Sequence, residues 1–175
     1  MPTYATLQLL VDEFTEIEVI KKSEFLPVDY NLTRLSRLPK LLRNYEPEQD
    51  PPEGILADVM AIPVQDLGQN ENEKSPRKIK IMDDSDYPIT WTLWAKDRTN
   101  DDAIGKIMGK PILIRNGIVP QPYKFSNGGI EIRKELNAIR IDFENDGALA
   151  NQAKKLLEWY ENRKNGGEQN NNVNE

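Results

Sequence analysis

The middle of the chain alternates apolar and polar residues, which is the pattern of β-strands that bury one face. It predicts five strands, over residues 55–64, 77–82, 88–96, 111–119 and 130–141. The third of these is the most informative. Its inward face is apolar and consists of Ile89, Trp91, Leu93 and Ala95. Its outward face consists of Thr90, Thr92, Trp94 and Lys96. An indole therefore lies on an otherwise polar surface.

The spacing of leucine and other apolar residues predicts three helices around these strands. Leucines three to four residues apart indicate a short helical segment within residues 31–43, which Pro39 should end in a turn. A second helix over residues 100–108 begins with Asn100, whose side chain can cap it. A third helix runs over residues 146–163. Its predicted apolar residues are Ala148, Ala153, Leu156, Leu157, Trp159 and Tyr160.

These elements divide the chain into three parts. Residues 1–24 form an N-terminal extension, apolar and acidic, whose periodicity does not choose between a helix and a strand. Residues 25–163 form one domain with a lead-in and a C-terminal helix. Residues 164–175 are rich in Asn and Gly and are predicted to be disordered.

The order of the elements predicts the fold class. Five short strands have a helix between the third and the fourth, and long loops join the first strand to the second and the fourth to the fifth. This is the order of an OB-fold, an all-β Greek-key barrel of five strands, here with added helices that include a C-terminal one. The second and third strands of this fold, with those two loops, form its binding face.

Composition excludes several kinds of chemistry. The chain of 175 residues has no Cys and no His, which excludes disulfides, thiolate catalysis and the usual zinc sites. It also lacks a glycine-rich phosphate loop, so we expect neither an enzyme nor a bound cofactor. Three aspartates after the third strand, Asp97, Asp101 and Asp102, could form a metal cluster, but capping of the next helix is the preferred interpretation. No apolar run approaches the ~20 residues of a membrane span, so no membrane partner is expected.

Basic and aromatic residues converge on the predicted binding face. Trp94 is a flat platform on which a nucleic-acid base can stack, and lysines beside it can meet phosphates. The candidate binding residues are Trp94, Phe125, Tyr123, Lys78, Lys80, Thr90, Thr92, Lys96, Lys124 and Arg115. The net charge of −6 opposes this interpretation, because phosphate affinity comes from Lys and Arg. It favours an alternative in which the domain binds another protein.

A set of short motifs, taken in order, resembles a known family. The motifs are Asp58-Val-Met-Ala-Ile62, Lys80-Ile-Met-Asp83, Thr92-Leu-Trp-Ala95, Gly117, Phe125, Gly128-Gly129 and Leu157-Glu-Trp-Tyr160. Over residues 25–163 they resemble the second DNA-binding OB domain of the large subunit of replication protein A, or a specialised paralogue of it. The chain departs from the family at Ala95, where glycine is usual, and in a longer, proline-rich loop before Phe125.

The resemblance implies single-stranded DNA binding without catalysis, in replication, repair or telomere maintenance, and a nuclear location. RNA is a second candidate ligand. The implied protein partners are other OB-fold subunits or DNA-maintenance proteins. The family stacks bases on two aromatics, which match Trp94 and Phe125 here, with Tyr123 as a substitute for the second. The alternative remains an OB-fold interaction module of a DNA-maintenance complex that binds little nucleic acid itself.

Overall fold

Six strands and three α-helices form from the residues that the computed structural model describes, which are 31–46, 53–69, 75–94, 97, 99–121, 129–144 and 146–169. The strands are β1 (Ile55–Gln69), β2 (Arg77–Met82), β3 (Ile89–Leu93), β4 (Ile112–Val119), β5 (Glu131–Arg133) and β6 (Ile139–Arg140). The helices are α1 (Leu38–Arg43), α2 (Asp101–Ile107) and α3 (Gly147–Gln169).

Strands β1 to β5 close into a ring. The first half of β1 pairs with β4 from Ile55 to Ala61, and the second half pairs with β2 from Ile62 onwards. β2 continues antiparallel to β3, β5 runs parallel to β3, and β4 closes the ring beside β5. Register shifts in both halves of β1 bend the strand between its two partners. The predicted OB-fold, an all-β barrel of five strands with a C-terminal helix, is confirmed.

The interior of the barrel is apolar and is filled from every side. Trp91 points into it from β3 and is 0% exposed, as its position in the alternation predicts. Its indole Nε1 donates a hydrogen bond of 2.9 Å to the carbonyl oxygen of Lys134, so its polar atom is satisfied. Helix α2 adds Ile104 and Ile107. The Asn100 side chain caps this helix, as predicted, by accepting a hydrogen bond from the backbone N–H of Ala103.

The lead-in segment also enters the barrel. It forms a 3₁₀-helix over Leu35–Arg37 and continues directly into α1, and its leucines Leu35, Leu38 and Leu42 are buried in the interior. The expectation that Pro39 ends the helical segment is wrong. Pro39 lies in the first turn of α1, where the missing N–H has no helical partner to lose.

Helix α3 packs against the outer side of the barrel. A second apolar cluster joins Met60 and Ile62 of β1 and Leu113 of β4 to the inner face of α3. The helical residues in this cluster are Leu149, Ala153 and Leu156, with Leu157, Trp159 and Tyr160 partly buried beside them. Ala148, predicted to join this face, is exposed and Leu149 takes its place. Consequently β1 is buried on both faces here, and α3 covers the outer side of β1 and β4.

The fifth strand and the last helix end at other residues than predicted. The fifth strand does not run continuously to residue 141, because it stops at Arg133 and a 3₁₀-helix over Leu136–Ala138 separates it from β6. Side chains form hydrogen bonds with the backbone groups at the break. The backbone carbonyl of Lys134 accepts from the Trp91 indole, and the Asp97 carboxylate accepts from the N–H of Leu136 at 2.9 Å. Helix α3 continues to Gln169, so the predicted disordered tail is helical up to that residue. Residues 1–24 and 170–175 lie outside the described residues.

Arg77 links three elements at one end of the barrel. Its guanidinium forms ion pairs with Asp66 of β1 and with Asp101 in the first turn of α2. This hydrogen-bonded guanidinium holds the pKa of the Asp66 carboxyl below its usual range. Asp101, considered above as a metal ligand, is therefore a partner of Arg77. Across the described residues, no group of three or more acidic side chains is placed to hold a metal ion.

The lowered pKa of Asp66 predicts a pH-dependent contribution to stability. A carboxyl whose pKa is lower in the folded state stabilises the fold above its unfolded value of about 4, and this contribution disappears as the pH falls through the folded value. We expect Asp66→Asn to lower the free energy of unfolding by about 1 kcal/mol at pH 7, because the pair is partly exposed and Asp101 still holds Arg77. Urea denaturation at pH 7 and at about pH 2.5 should show a smaller difference at the lower pH. The control is Glu144→Gln, which removes an exposed carboxylate before α3; an equal loss in that variant would contradict the prediction.

Candidate nucleic-acid interface

The outer side of β2, β3 and β5 carries two rows of polar side chains. In the first row, Lys78 lies opposite Thr92, which lies opposite Arg133. In the second, Lys80 lies opposite Thr90, which lies opposite Glu131. These six residues, Lys78, Lys80, Thr90, Thr92, Glu131 and Arg133, are called the β2–β3–β5 face below. They alternate with the inward residues of the same strands, such as Ile79 and Ile132, which are fully buried.

The charge of this face is positive. Three cationic side chains and one carboxylate give it a net charge of 3 − 1 = +2, within a chain whose total is −6. Lys78 is exposed and Lys80 is half-buried. Within the described part of the chain neither lysine forms a salt bridge, whereas Arg133 pairs with Glu131 at 2.5 Å. Both lysines thus remain candidates to neutralise a phosphate.

Trp94 lies at the end of this face. It follows β3 directly, two residues after Thr92, and its backbone carbonyl accepts a hydrogen bond from the N–H of Asp97. Trp94 is 48% exposed, in contrast to the fully buried Trp91 within β3. An exposed indole beside a basic sheet face can accept a stacked base.

Thr92 does not meet the expectation of an accessible outward residue. It lies on the outer side of β3 but is only 1% exposed, and its hydroxyl donates a hydrogen bond of 3.2 Å to Glu131 Oε2. Glu131 and Arg133 were missing from the predicted set. Their signal was present in the sequence, because both flank the inward-pointing Ile132. Their place beside Thr92 comes from the parallel pairing of β3 with β5.

Other predicted residues lie elsewhere. Arg115 is exposed on β4, three residues before Ile118, which lies opposite Arg133. Lys96 and the loop residues Tyr123, Lys124 and Phe125 lie outside the described residues, so the structure does not test them.

A separate cleft of about 500 Å³ lies between the lead-in, the turn after β2 and helix α3. Its lining mixes both signs of charge, with Arg34 and Lys155 facing Asp83 and Asp84. Arg34 is already paired with Asp84 at 3.0 Å. This balance makes the cleft a poor phosphate site compared with the β2–β3–β5 face. In the parts of the chain covered by the structure, none of the helices has the length and apolar character needed to cross a membrane.

Comparisons with known proteins agree with the fold. No protein-family model matches the sequence, and no curated protein sequence matches it. Among solved structures, the chain is similar to a chain of a replication protein A heterotrimer bound to single-stranded DNA, with a TM-score of 0.50 and 16% sequence identity. The match covers 83% of this chain and 31% of that one, so this chain spans about a third of its length. A likeness at this identity shows a shared fold.

A second similar structure is the solution structure of an OB domain from Methanosarcina mazei. Its TM-score is 0.34 at 19% sequence identity, and the match covers 53% of this chain and 76% of that one.

The opposite placements of two tryptophans predict opposite effects on stability. Trp94→Ala should change the free energy of unfolding by less than about 0.5 kcal/mol, because the indole is half exposed. Trp91→Ala should lower it by about 3–5 kcal/mol, since it empties the barrel interior and leaves the Lys134 carbonyl without its donor. Urea denaturation followed by far-UV circular dichroism measures both. A large loss in the Trp94 variant would mean that this indole belongs to the core.

Proposed function

We propose that the chain binds single-stranded DNA on the β2–β3–β5 face and on Trp94. One observation carries the proposal: among the described residues, Lys78, Lys80 and an exposed indole lie on β2 and β3 or directly after β3, away from the side of β1 and β4 on which helix α3 packs. In this arrangement a base stacks on Trp94 while the lysines neutralise phosphates of the neighbouring nucleotides. Thr90 lies between Lys80 on β2 and Glu131 on β5, and its hydroxyl can hydrogen-bond to the same nucleic-acid strand.

The remaining candidate residues extend this site. Phe125, with Tyr123 as its substitute, supplies the second stacking ring that the family resemblance implies, and Lys124 and Lys96 supply further cations. Arg115 supplies a cation to a nucleic-acid strand that continues past β4. These contacts rest on the resemblance and on the order of the elements. Duplex DNA should bind much more weakly, because its bases are already stacked and cannot reach an indole on a sheet face.

We propose further that the chain acts as a binding component without catalytic activity in DNA replication, repair or telomere maintenance in the nucleus. The sequence resemblance to the large subunit of replication protein A supports this role. So does the similar fold of a replication protein A heterotrimer that is bound to single-stranded DNA. Partners would be other OB-fold subunits or DNA-maintenance proteins, and RNA is the second candidate ligand.

The alternative is an OB-fold interaction module that binds a protein. Its support is the net charge of −6, which a nucleic-acid ligand must overcome. The two functions differ in ligand and in salt response. Fluorescence anisotropy with labelled single-stranded and duplex oligonucleotides of equal length, at two salt concentrations, separates them. Preferential, salt-dependent binding of the single strand supports the proposal; no binding to either favours the interaction module.

Removing the stacking platform should weaken binding strongly. We expect Trp94→Ala to cost roughly 1–3 kcal/mol of binding free energy for single-stranded DNA, the usual scale for one base stacked on an aromatic side chain. Trp94→Phe keeps a ring and should retain most of the affinity. Titration of both variants against the same oligonucleotide measures the effect. If the alanine variant binds as tightly as the wild type, the bases do not stack on Trp94.

Removing the lysines should change the salt response. Each phosphate contact on a single strand contributes about −0.7 to the slope of log affinity against log salt. Lys78→Gln and Lys80→Gln should each make that slope shallower by about 0.7, and the double variant by about twice as much. Lys154→Gln on α3 is the matched control, because it removes the same charge from the covered side of the barrel. A slope that changes equally in the control would exclude specific phosphate contacts at the two lysines.

A further inference from the structure

Glu131 is the one acidic residue of the β2–β3–β5 face, and both of its carboxylate oxygens are engaged. Oε1 accepts hydrogen bonds from Arg133, from Nε at 2.9 Å and from Nη2 at 2.5 Å. Oε2 accepts from the Thr92 hydroxyl at 3.2 Å. The Glu131 carboxylate thus binds both the guanidinium of Arg133 on β5 and the hydroxyl of Thr92 on β3.

These donors are the ones that a phosphate would use. A guanidinium presents paired N–H groups that match a carboxylate and a phosphate equally well. Arg133 also lies in the same row as Lys78, with Thr92 between them. Two strand spacings separate the two cationic residues, which is ~10 Å along the row. Without Glu131 this row would offer two cations and a hydroxyl to a nucleic-acid backbone that crosses it.

The pair is placed where a ligand can displace it. The side chains of Arg133 and Glu131 are both accessible to solvent, at 37% and 25% of their full exposure. Ion pairs in contact with water are weak, since water competes for both partners. The contact between the two side chains is therefore easily exchanged for a contact with an incoming anion.

We propose that Glu131 is an internal competitor for the nucleic-acid phosphate, holding Arg133 and Thr92 in the free protein and releasing them when a phosphate binds. This inference rests on the proposed function. It assigns Arg133 and Thr92 to the binding site and makes Glu131 the residue that limits its affinity.

The test is Glu131→Gln, which keeps the size of the side chain and removes its charge. Affinity for single-stranded DNA should rise roughly two- to fivefold at low salt, the range expected for one partly exposed charged contact. The slope of log affinity against log salt should become steeper by about 0.7, because one more phosphate contact forms. Thermal unfolding of the variant confirms that it is folded.

Two further variants separate a local effect from a general one. Glu161→Gln removes the same charge from the exposed face of α3 and should leave the affinity unchanged. In the double variant Glu131→Gln/Arg133→Gln, the gain should disappear, because the released guanidinium is absent and the two changes are not additive. An equal gain in Glu161→Gln, or a gain that persists without Arg133, would overturn the proposal in favour of a simple effect of net charge.

Binding by the wild-type protein distinguishes failure of this inference from failure of the proposed function. If the wild type binds single-stranded DNA and Glu131→Gln binds equally or more weakly, Glu131 is not a competitor, and the proposed function still stands. If neither the wild type nor any variant binds single-stranded DNA, the proposed function has failed and the inference fails with it.

Discussion

The structure depends on one strand that pairs with two others. Residues 55–61 of β1 pair with β4, and its later residues pair with β2, so a sheet that would have had two open edges becomes a ring. Closure fixes which side of every strand faces the interior. A slip by one residue would bring Trp91 to the surface and Lys78 into the core, and the apolar interior makes that slip very costly. The positions of the candidate binding residues on β2 and β3 follow from this constraint.

The outer surface of the ring is then divided by helix α3. Because β1 and β4 carry apolar residues on both faces at Met60, Ile62 and Leu113, their outer side needs a cover, and the helix supplies it. β2, β3 and β5 carry polar residues on their outer side and need none. The side on which α3 packs is therefore determined by the same alternation that builds the core. The core and the proposed binding site use opposite faces of the same strands.

Alternation explains why so much of this could be predicted. A period of two residues is local, so it assigned Trp91 inward and Trp94 outward, and the order of the strands gave the barrel. What the sequence did not predict depends on contacts between distant residues. Thr92 hydrogen-bonds to Glu131, 39 positions away, because β3 and β5 are neighbouring strands. The break after β5 depends in the same way on hydrogen bonds from Trp91 and to Asp97. Pro39 was misjudged because its effect depends on which turn of the helix it occupies.

The charge of the chain shapes how such a site must work. A face of net charge +2 inside a chain of −6 can attract phosphates only locally, since charges more than about 10 Å apart are largely screened at physiological salt. With few phosphate contacts, the proposed complex would draw its affinity mainly from stacking against Trp94. Stacking requires bases that are free of a duplex, whereas phosphates are available on any nucleic acid. A weakly basic face beside an exposed indole would therefore favour single strands over duplexes more than a strongly basic face would. The proposed role of Glu131 acts in the same direction, because it keeps Arg133 occupied until a strand has bound.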